Sequence, residues 1–247
     1  MSTGRTRRAE QVLAAIACEL GRVFRSLRRL ETDFSDVVAR AGAPTRAELA
    51  GVRPTIFEVL DDHRGLVAGA GVIAAPDLLA DAGRWLEWWW SPSPKEIVPL
   101  RVNLDPTSPD YFDYTTAAWY VTTARTSAPC VAGPYVDYAC TNDYALTVAI
   151  PSGSPGGLAG IVAADVLVSN LERRVLPLLR ALGRPVVLAN AEGRVVASSS
   201  PRYAPGIRVP AGGSDPIVLS PPAWRRAGVD PVAMGWTLWD LAALESA

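Results

Sequence analysis

Tyr144-Ala145-Leu146-Thr147-Val148-Ala149-Ile150 alternates its side chains and is rich in residues that favour strands. Six turn-forming residues follow Pro151, Ser152-Gly153-Ser154-Pro155-Gly156-Gly157, and then Leu158-Ala159-Gly160-Ile161-Val162-Ala163-Ala164-Asp165-Val166. Strand, turn and strand in this order predict an antiparallel hairpin. The second strand is apolar except for Asp165. A carboxylate inside such a strand points to one face of a sheet. On a buried face its charge needs a cation or strong donors. On a solvent face, or as a cap for the next helix, it needs neither.

Upstream, the first forty residues read as one long helix. Leu13, Ile16, Leu20, Val23, Leu27, Leu30, Phe34 and Val37 recur in steps of three and four, an a/d seam flanked by Arg22, Arg25, Arg28, Arg29, Glu31 and Asp36. The seam serves either to lay the helix on its own domain or to join two chains over residues 8–40. Gly42-Ala43-Pro44 ends the helix, and Thr45 with Glu48 forms a capping box for a short second one. Pro54 marks a boundary before a helical stretch at 55–62. Strands are expected at 65–75, at 84–90 with the cluster Trp85, Trp88, Trp89 and Trp90, and at 97–103; Ser91 to Pro94 reads as a loop. Packing under the N-terminal helix is the expected role of Trp88 to Trp90, with a ligand-pocket wall as the functional alternative.

Downstream of the hairpin, residues 169–182 have helical spacing with Pro177 inside. Two short strands at 185–189 and 194–198 are joined by Asn190-Ala191-Glu192-Gly193. Residues 199–247 are rich in Pro and Gly and end in an aromatic, helical tail with Trp236 and Trp239. The layout is α+β: a long N-terminal helix packed on an antiparallel sheet, with a smaller, partial second β unit at the C-terminus. The expected units are residues 1–43, 44–182 and 183–247.

Composition narrows the chemistry. The 24 basic and 25 acidic side chains nearly cancel, so no overall field recruits nucleic acid or an acidic membrane. The longest apolar run, 65–75, is too short to span a bilayer. Cys18, Cys130 and Cys140 are odd in number and fit no bridge framework or zinc spacing, so a reduced, cytoplasmic protein is expected. Cys130 and Cys140 read as strand-neighbour packing. His63 is the single imidazole, which excludes multi-histidine metal sites, and its place after Asp61-Asp62 at a helix end suits a cation on the dipole. Gly69-Ala70-Gly71-Val72-Ile73-Ala74 matches a dinucleotide fingerprint, yet Pro76 follows where a helix would have to run, so no cofactor is expected.

The densest polar and aromatic stretch runs from Tyr111 to Asp165. Tyr135 and Asp137 stand two apart in an extended segment and share a face. Two carboxylates among aromatic rings suit a cation: the carboxylates neutralise it, the rings attract it, and the rings exclude water.

Trp119-Tyr120, Gly133-Pro134-Tyr135-Val136-Asp137, the strand 147–151, the hairpin and Gly160-Ile161-Val162-Ala163-Ala164-Asp165-Val166 together resemble the Cache sensor domains, relatives of PAS domains. The long N-terminal helix belongs to the same pattern. The resemblance implies a PAS-like sheet and a small-molecule ligand. In the amino-acid-binding Cache members, aromatic hydroxyls and carboxylates hold the ammonium group; the corresponding residues are Tyr120, Tyr135, Asp137 and Asp165. An arginine two residues before the tryptophan and a tyrosine further upstream hold the ligand's carboxylate. This chain has Ala117 and Phe112 there. Arg101 and Arg125 are the candidate substitutes.

The expected function is therefore a non-enzymatic sensor of an amine-containing ligand, an amine or an amino acid. The expected binding residues are Trp119, Tyr120, Tyr135, Asp137, Asp165, Tyr111 and Tyr114. The signal would leave through a homodimer or a separate regulatory partner. Two alternatives stand beside it. One is a scaffold whose pocket is filled by side chains such as Phe112 or Trp89. The other is a hydrolase with Asp137 and Asp165 as paired acids.

Overall fold

A computed structural model describes the chain except for residues 1, 94, 140, 210–216, 219–234 and 242–247. The helices are α1 (Ser2–Ala41), α2 (Arg46–Leu49), α3 (Arg53–Asp62), α4 (Ala118–Thr126) and α5 (Val168–Arg180). The strands are β1 (Val67–Ala74), β2 (Leu86–Ser93), β3 (Glu96–Pro99), β4 (Cys130–Val136), β5 (Tyr144–Ser154), β6 (Gly157–Leu167), β7 (Val186–Ala189), β8 (Val195–Ser198), β9 (Ile217–Val218) and β10 (Thr237–Asp240).

The heptad seam decides where α1 lies. Leu13, Ile16, Leu20, Val23, Leu27, Leu30, Phe34 and Val37 are all buried within the chain, over β5 and β6. An apolar stripe must be covered, and here the chain's own sheet covers it. Arg22, Arg25, Arg28 and Arg29 face outward, so a second copy would meet this polar face and not the seam. Close approach is set by Gly160, where a Cβ would stand 3.1 Å from the Phe34 ring and 2.4 Å from the Ile73 carbonyl oxygen. The helix stops at Gly42, whose φ of +70° suits glycine, and the expected capping box forms between Thr45 and Glu48. Pro54 sits in the first turn of α3, where its missing N–H costs nothing.

Six strands form one sheet in the order β3-β2-β1-β6-β5-β4, every neighbouring pair antiparallel. Alternation divides its residues between two faces. Ala70, Val72, Leu146, Val148, Ile150, Val162, Ala164 and Val166 share one core with α1, α3 and α5. Ile73, Trp88, Ala149, Ile161 and Ala163 belong to a second core on the opposite face, with Tyr114, Trp119 and Tyr120.

Four expectations are corrected. β2 runs on through Ser93, which pairs with Glu96 of β3 after an irregularity that follows Trp90, where a loop was expected; Pro94 lies outside the described residues. The β5–β6 turn is only Pro155-Gly156, because Ser154 and Gly157 already pair. Trp239 lies in β10, a strand against β7, and not in a helical tail; Trp236 is buried just before it. The sheet it joins, β8-β7-β10-β9, accounts for the second β unit. Trp88 faces the opposite side of the sheet from α1, whereas Trp89 packs edge-on against Phe57 of α3 at 5.0 Å.

Candidate ligand-binding site

A cavity of about 180 Å³ opens on the sheet face turned away from α1. Strand register builds its floor. Gly69 on β1 stands opposite Asp165 on β6, which stands opposite Thr147 on β5. One step along, Trp88 and Ala163 flank Gly71. The two glycines seat Trp88: a Cβ on Gly71 would lie 2.2 Å from the Glu87 carbonyl oxygen, and one on Gly69 would lie 2.8 Å from the Trp88 indole nitrogen. They are thus strand glycines of close approach, with no helix after them and no dinucleotide turn. Trp119 from α4 and Phe112 from the β3–α4 connection close the space above, and Tyr135 of β4 with Asp137 just after it closes the side.

Asp165 is the buried charge at the centre, 7% exposed. Thr147 Oγ1 donates to its Oδ1 at 2.6 Å. The threonine hydroxyl has one proton, so with that proton on Asp165 it accepts from the Tyr135 hydroxyl, 2.5 Å away. Burial lifts the Asp165 carboxyl to about 7; the Thr147 bond opposes this and the nearby Asp137 charge adds to it. Asp137, 6% exposed, accepts through Oδ2 from both the N–H and the hydroxyl of Thr141 at 3.1 Å. Among the described residues, no arginine, lysine or histidine lines the cavity. The same residues contain no cluster able to hold a metal ion.

Of the seven expected binding residues, Trp119, Tyr135, Asp137 and Asp165 come together around this cavity. Tyr114, Tyr120 and Tyr111 do not line it. Tyr114 is fully buried, donates its hydroxyl to the Ala74 carbonyl at 2.9 Å, and stacks edge-on with Tyr120. Tyr120 in turn lies against Trp119, so it backs the wall without forming it. Tyr111 sits further out, beside Asp113 and Arg84. Thr147 is a cavity residue that the sequence did not single out, and Trp88 takes the pocket-wall position that stood as the alternative to packing under α1. Arg101 borders a different surface pocket, beside Arg53, and Arg125 lies outside the cavity lining.

Neighbouring features resolve other expectations. Phe112 lines the cavity without filling it, and Trp89 is on the far face, so the mark expected of a filled scaffold is missing from these two residues. His63 is no helix-end cation. It is buried, bonded to the Ser26 hydroxyl at 2.9 Å, and burial lowers its pKa, so it is neutral at pH 7. Cys18 and Cys130 are free; the pairing of Cys130 with Cys140 as strand neighbours lies outside the described residues.

Neither a protein-family model nor a curated protein matches the sequence. Solved structures do match the fold. "Methyl-accepting Chemotaxis protein X" is 18% identical over 81% of this chain and 75% of its own, with a TM-score of 0.60. The ligand-binding domain of the Campylobacter jejuni chemoreceptor Tlp3, in complex with L-valine, is 16% identical over 86% and 77%, with a TM-score of 0.57. The ligand-binding domain of the Pseudomonas aeruginosa PAO1 amino acid chemoreceptor PctC, in complex with GABA, is 16% identical over 96% and 98%, with a TM-score of 0.53. The chain has the fold of a Cache-type sensor domain.

In this Cache-like domain, Ala117 and Phe112 both line the cavity. They are the two positions at which the sequence resemblance places the groups that hold a ligand carboxylate. The cavity therefore has two carboxylates of its own and, among the described residues, no side-chain cation to receive a third. No helix among those residues is long and apolar enough to cross a membrane.

Proposed function

We propose that this Cache-like domain is a sensor that binds a small amine as its ammonium ion. The observation that carries the reading is Asp137 and Asp165 lining one aromatic cavity with, among the described residues, no cationic side chain. A buried carboxylate pair in that setting attracts a cation and repels a ligand carboxylate. The cavity's about 180 Å³ falls below the ~300–1,000 Å³ of drug-sized sites, which suits a small ligand. Asp137 and Asp165 neutralise the ammonium, Trp119 and Tyr135 contribute their ring faces, and Trp88 adds an apolar wall. Tyr114 and Tyr120 support this shell from behind, whereas Tyr111 stands outside it.

The signal then leaves through a homodimer that uses the outward arginine face of α1, or through a separate regulatory partner. The free Cys18 and Cys130 suit a reducing, cytoplasmic setting. The ligand-bound Tlp3 and PctC structures, which share the fold, make a ligand-binding role for the cavity the natural one.

A thermal-shift screen against amines, amino acids and carboxylates tests the proposal, since a ligand selective for the folded state raises Tm with its concentration over Kd. Stabilisation by amines supports it. Stabilisation by carboxylates alone would overturn it. One observation favours a second reading: a carboxyl held near 7 beside another carboxylate also suits acid–base hydrolysis. Turnover of a glycoside or ester that is lost in Asp165→Asn would select that reading.

A further inference from the structure

We infer that ligand binding in this cavity is an exchange, in which the ammonium ion enters and the proton on Asp165 leaves to solvent. The inference rests on the ammonium reading above and concerns what the site does when it is empty. Two carboxylates share one small apolar cavity, and among the described residues neither has a cationic partner in its lining. Two buried negative charges without a counter-ion are unfavourable, so the empty site retains a proton.

Geometry places that proton on Asp165. Asp137 has two donors, the backbone N–H and the hydroxyl of Thr141. Among the described residues Asp165 has a single side-chain donor, Thr147, whose hydroxyl is shared with Tyr135. Apart from Asp165 itself on β6, the titratable groups among the described lining residues are Tyr135, Asp137 and Tyr138, from β4 and the segment after it. The β1, β2, β5 and α4 sides contribute non-titrating residues such as Ile73, Trp88, Thr147 and Trp119. Nothing among the described lining residues therefore replaces the missing cation. The elevated carboxyl, about 7, agrees with this placement.

The exchange balances simply. The ligand stays an ammonium ion throughout, because alkyl amines, like the lysine side chain, titrate near ~10. The O–H bond of Asp165 breaks, its proton goes to water or buffer, and the carboxylate left behind faces the ammonium. Proton and ligand compete for the same oxygen atoms, so affinity falls as pH drops below 7 and levels off above it. Thr147 turns with the change: it donates to the ionised carboxylate, whereas the protonated acid can donate to it in return.

Isobutylammonium chloride serves as the probe for the full chain. Carbon-13 NMR of aspartate carboxyls, first without ligand, is expected to show one resonance with a midpoint near 7 that is missing in Asp165→Asn. Saturating isobutylammonium should lower that midpoint by at least about one unit, and its Kd should weaken about tenfold from pH 8 to pH 6. Calorimetry at pH 6.5 in buffers of different ionisation enthalpy should report proton release. Aspartates that all titrate below about 5 in the empty protein would overturn the exchange. So would a pH-independent Kd, and that result leaves the ammonium reading standing. Isobutylammonium that binds at no pH would count against the ammonium reading itself and take the exchange with it.

Discussion

Thr147 stands directly across the β5–β6 pair from Asp165 and donates its hydroxyl proton to the carboxylate at 2.6 Å. The bond spans the cavity floor and ties Tyr135 to the same carboxyl through the second contact of Thr147. Thr147→Val preserves shape but removes both hydrogen-bonding roles. The expected result is a loss of about 1–3 kcal/mol in urea unfolding and a further rise of the Asp165 carboxyl pKa, followed by NMR. Thr147→Ser should retain most of the wild-type behaviour. A Thr147→Val variant that behaves like wild type, with Thr147→Ser the more damaging change, would mean that the methyl group, and not the hydroxyl, is what matters at this position.

Burial of Asp165 has a consequence for stability. Its carboxyl titrates near 3.8 in the unfolded chain and near 7 in the folded one. Below 3.8 both states hold the proton, and the group contributes no pH dependence. Between the two values the unfolded chain releases the proton and the folded chain keeps it, so stability falls as pH rises, by about 1.4 kcal/mol per unit. Above 7 the loss is complete, on the order of 4 kcal/mol at most. Exposed carboxylates such as Glu48, Asp81 and Asp105, whose pKa values are lowered by hydrogen bonds, act in the opposite sense at acid pH. The difference between wild type and Asp165→Asn isolates the buried group. Without ligand, the variant is expected to gain relative stability from pH 4 to pH 7, read as a growing difference in Tm. A constant difference would contradict the burial.

Gly69 and Gly71 separate binding from folding. At Gly71 a methyl group meets backbone, the Glu87 carbonyl oxygen at 2.2 Å and Trp88 Cα at 2.8 Å, so β1 and β2 must part. Gly71→Ala is expected to cost about 1–3 kcal/mol in chemical denaturation. At Gly69 the methyl group meets the Trp88 indole, a side chain with some freedom to swing. Gly69→Ala is expected to cost less stability while tilting the indole into the cavity and weakening ligand binding. A Gly69 variant with normal affinity would mean that Trp88 does not shape the occupied site.

The fold was largely legible because its periodicities are strong. The α1 seam, the β5–β6 hairpin and the Asn190-to-Gly193 turn all rest on local chemistry. The cavity floor was less so, for a reason visible at one point. A two-residue turn between Ser154 and Gly157 alone would pair Asp165 with Leu146. A bulge between Ser152 and Gly153 shifts the register by one, and Thr147 becomes its partner. A shift of one residue reverses which side chains share a face, and no sequence pattern announced it. Trp239 was misjudged for a related reason: its strand exists because β7 offers an edge, a tertiary circumstance. Tyr114 stands out by aromatic density and Tyr120 by the Cache resemblance, but both are buried in the core behind the cavity wall.

Ala117 offers a gain-of-function test. It lines the cavity two residues before Trp119, where the amino-acid-binding relatives resembled by the sequence have arginine. Ala117→Arg places a cation opposite the Asp137 and Asp165 side of the site. It is expected to raise affinity for α-amino acids and to weaken binding of simple amines by charge repulsion. Unchanged selectivity would show that position 117 does not meet the ligand.

The most direct measurement compares isobutylamine with L-valine by isothermal titration calorimetry on the full chain at pH 8. The two molecules differ by one carboxylate, the group for which the described lining of the cavity offers no cation. Isobutylamine is expected to bind measurably, with valine at least about tenfold weaker, the ratio set by roughly 1.4 kcal/mol of charge repulsion and desolvation. Tighter binding of valine would contradict the ammonium-only site and would mean that an arginine from elsewhere in the protein completes it.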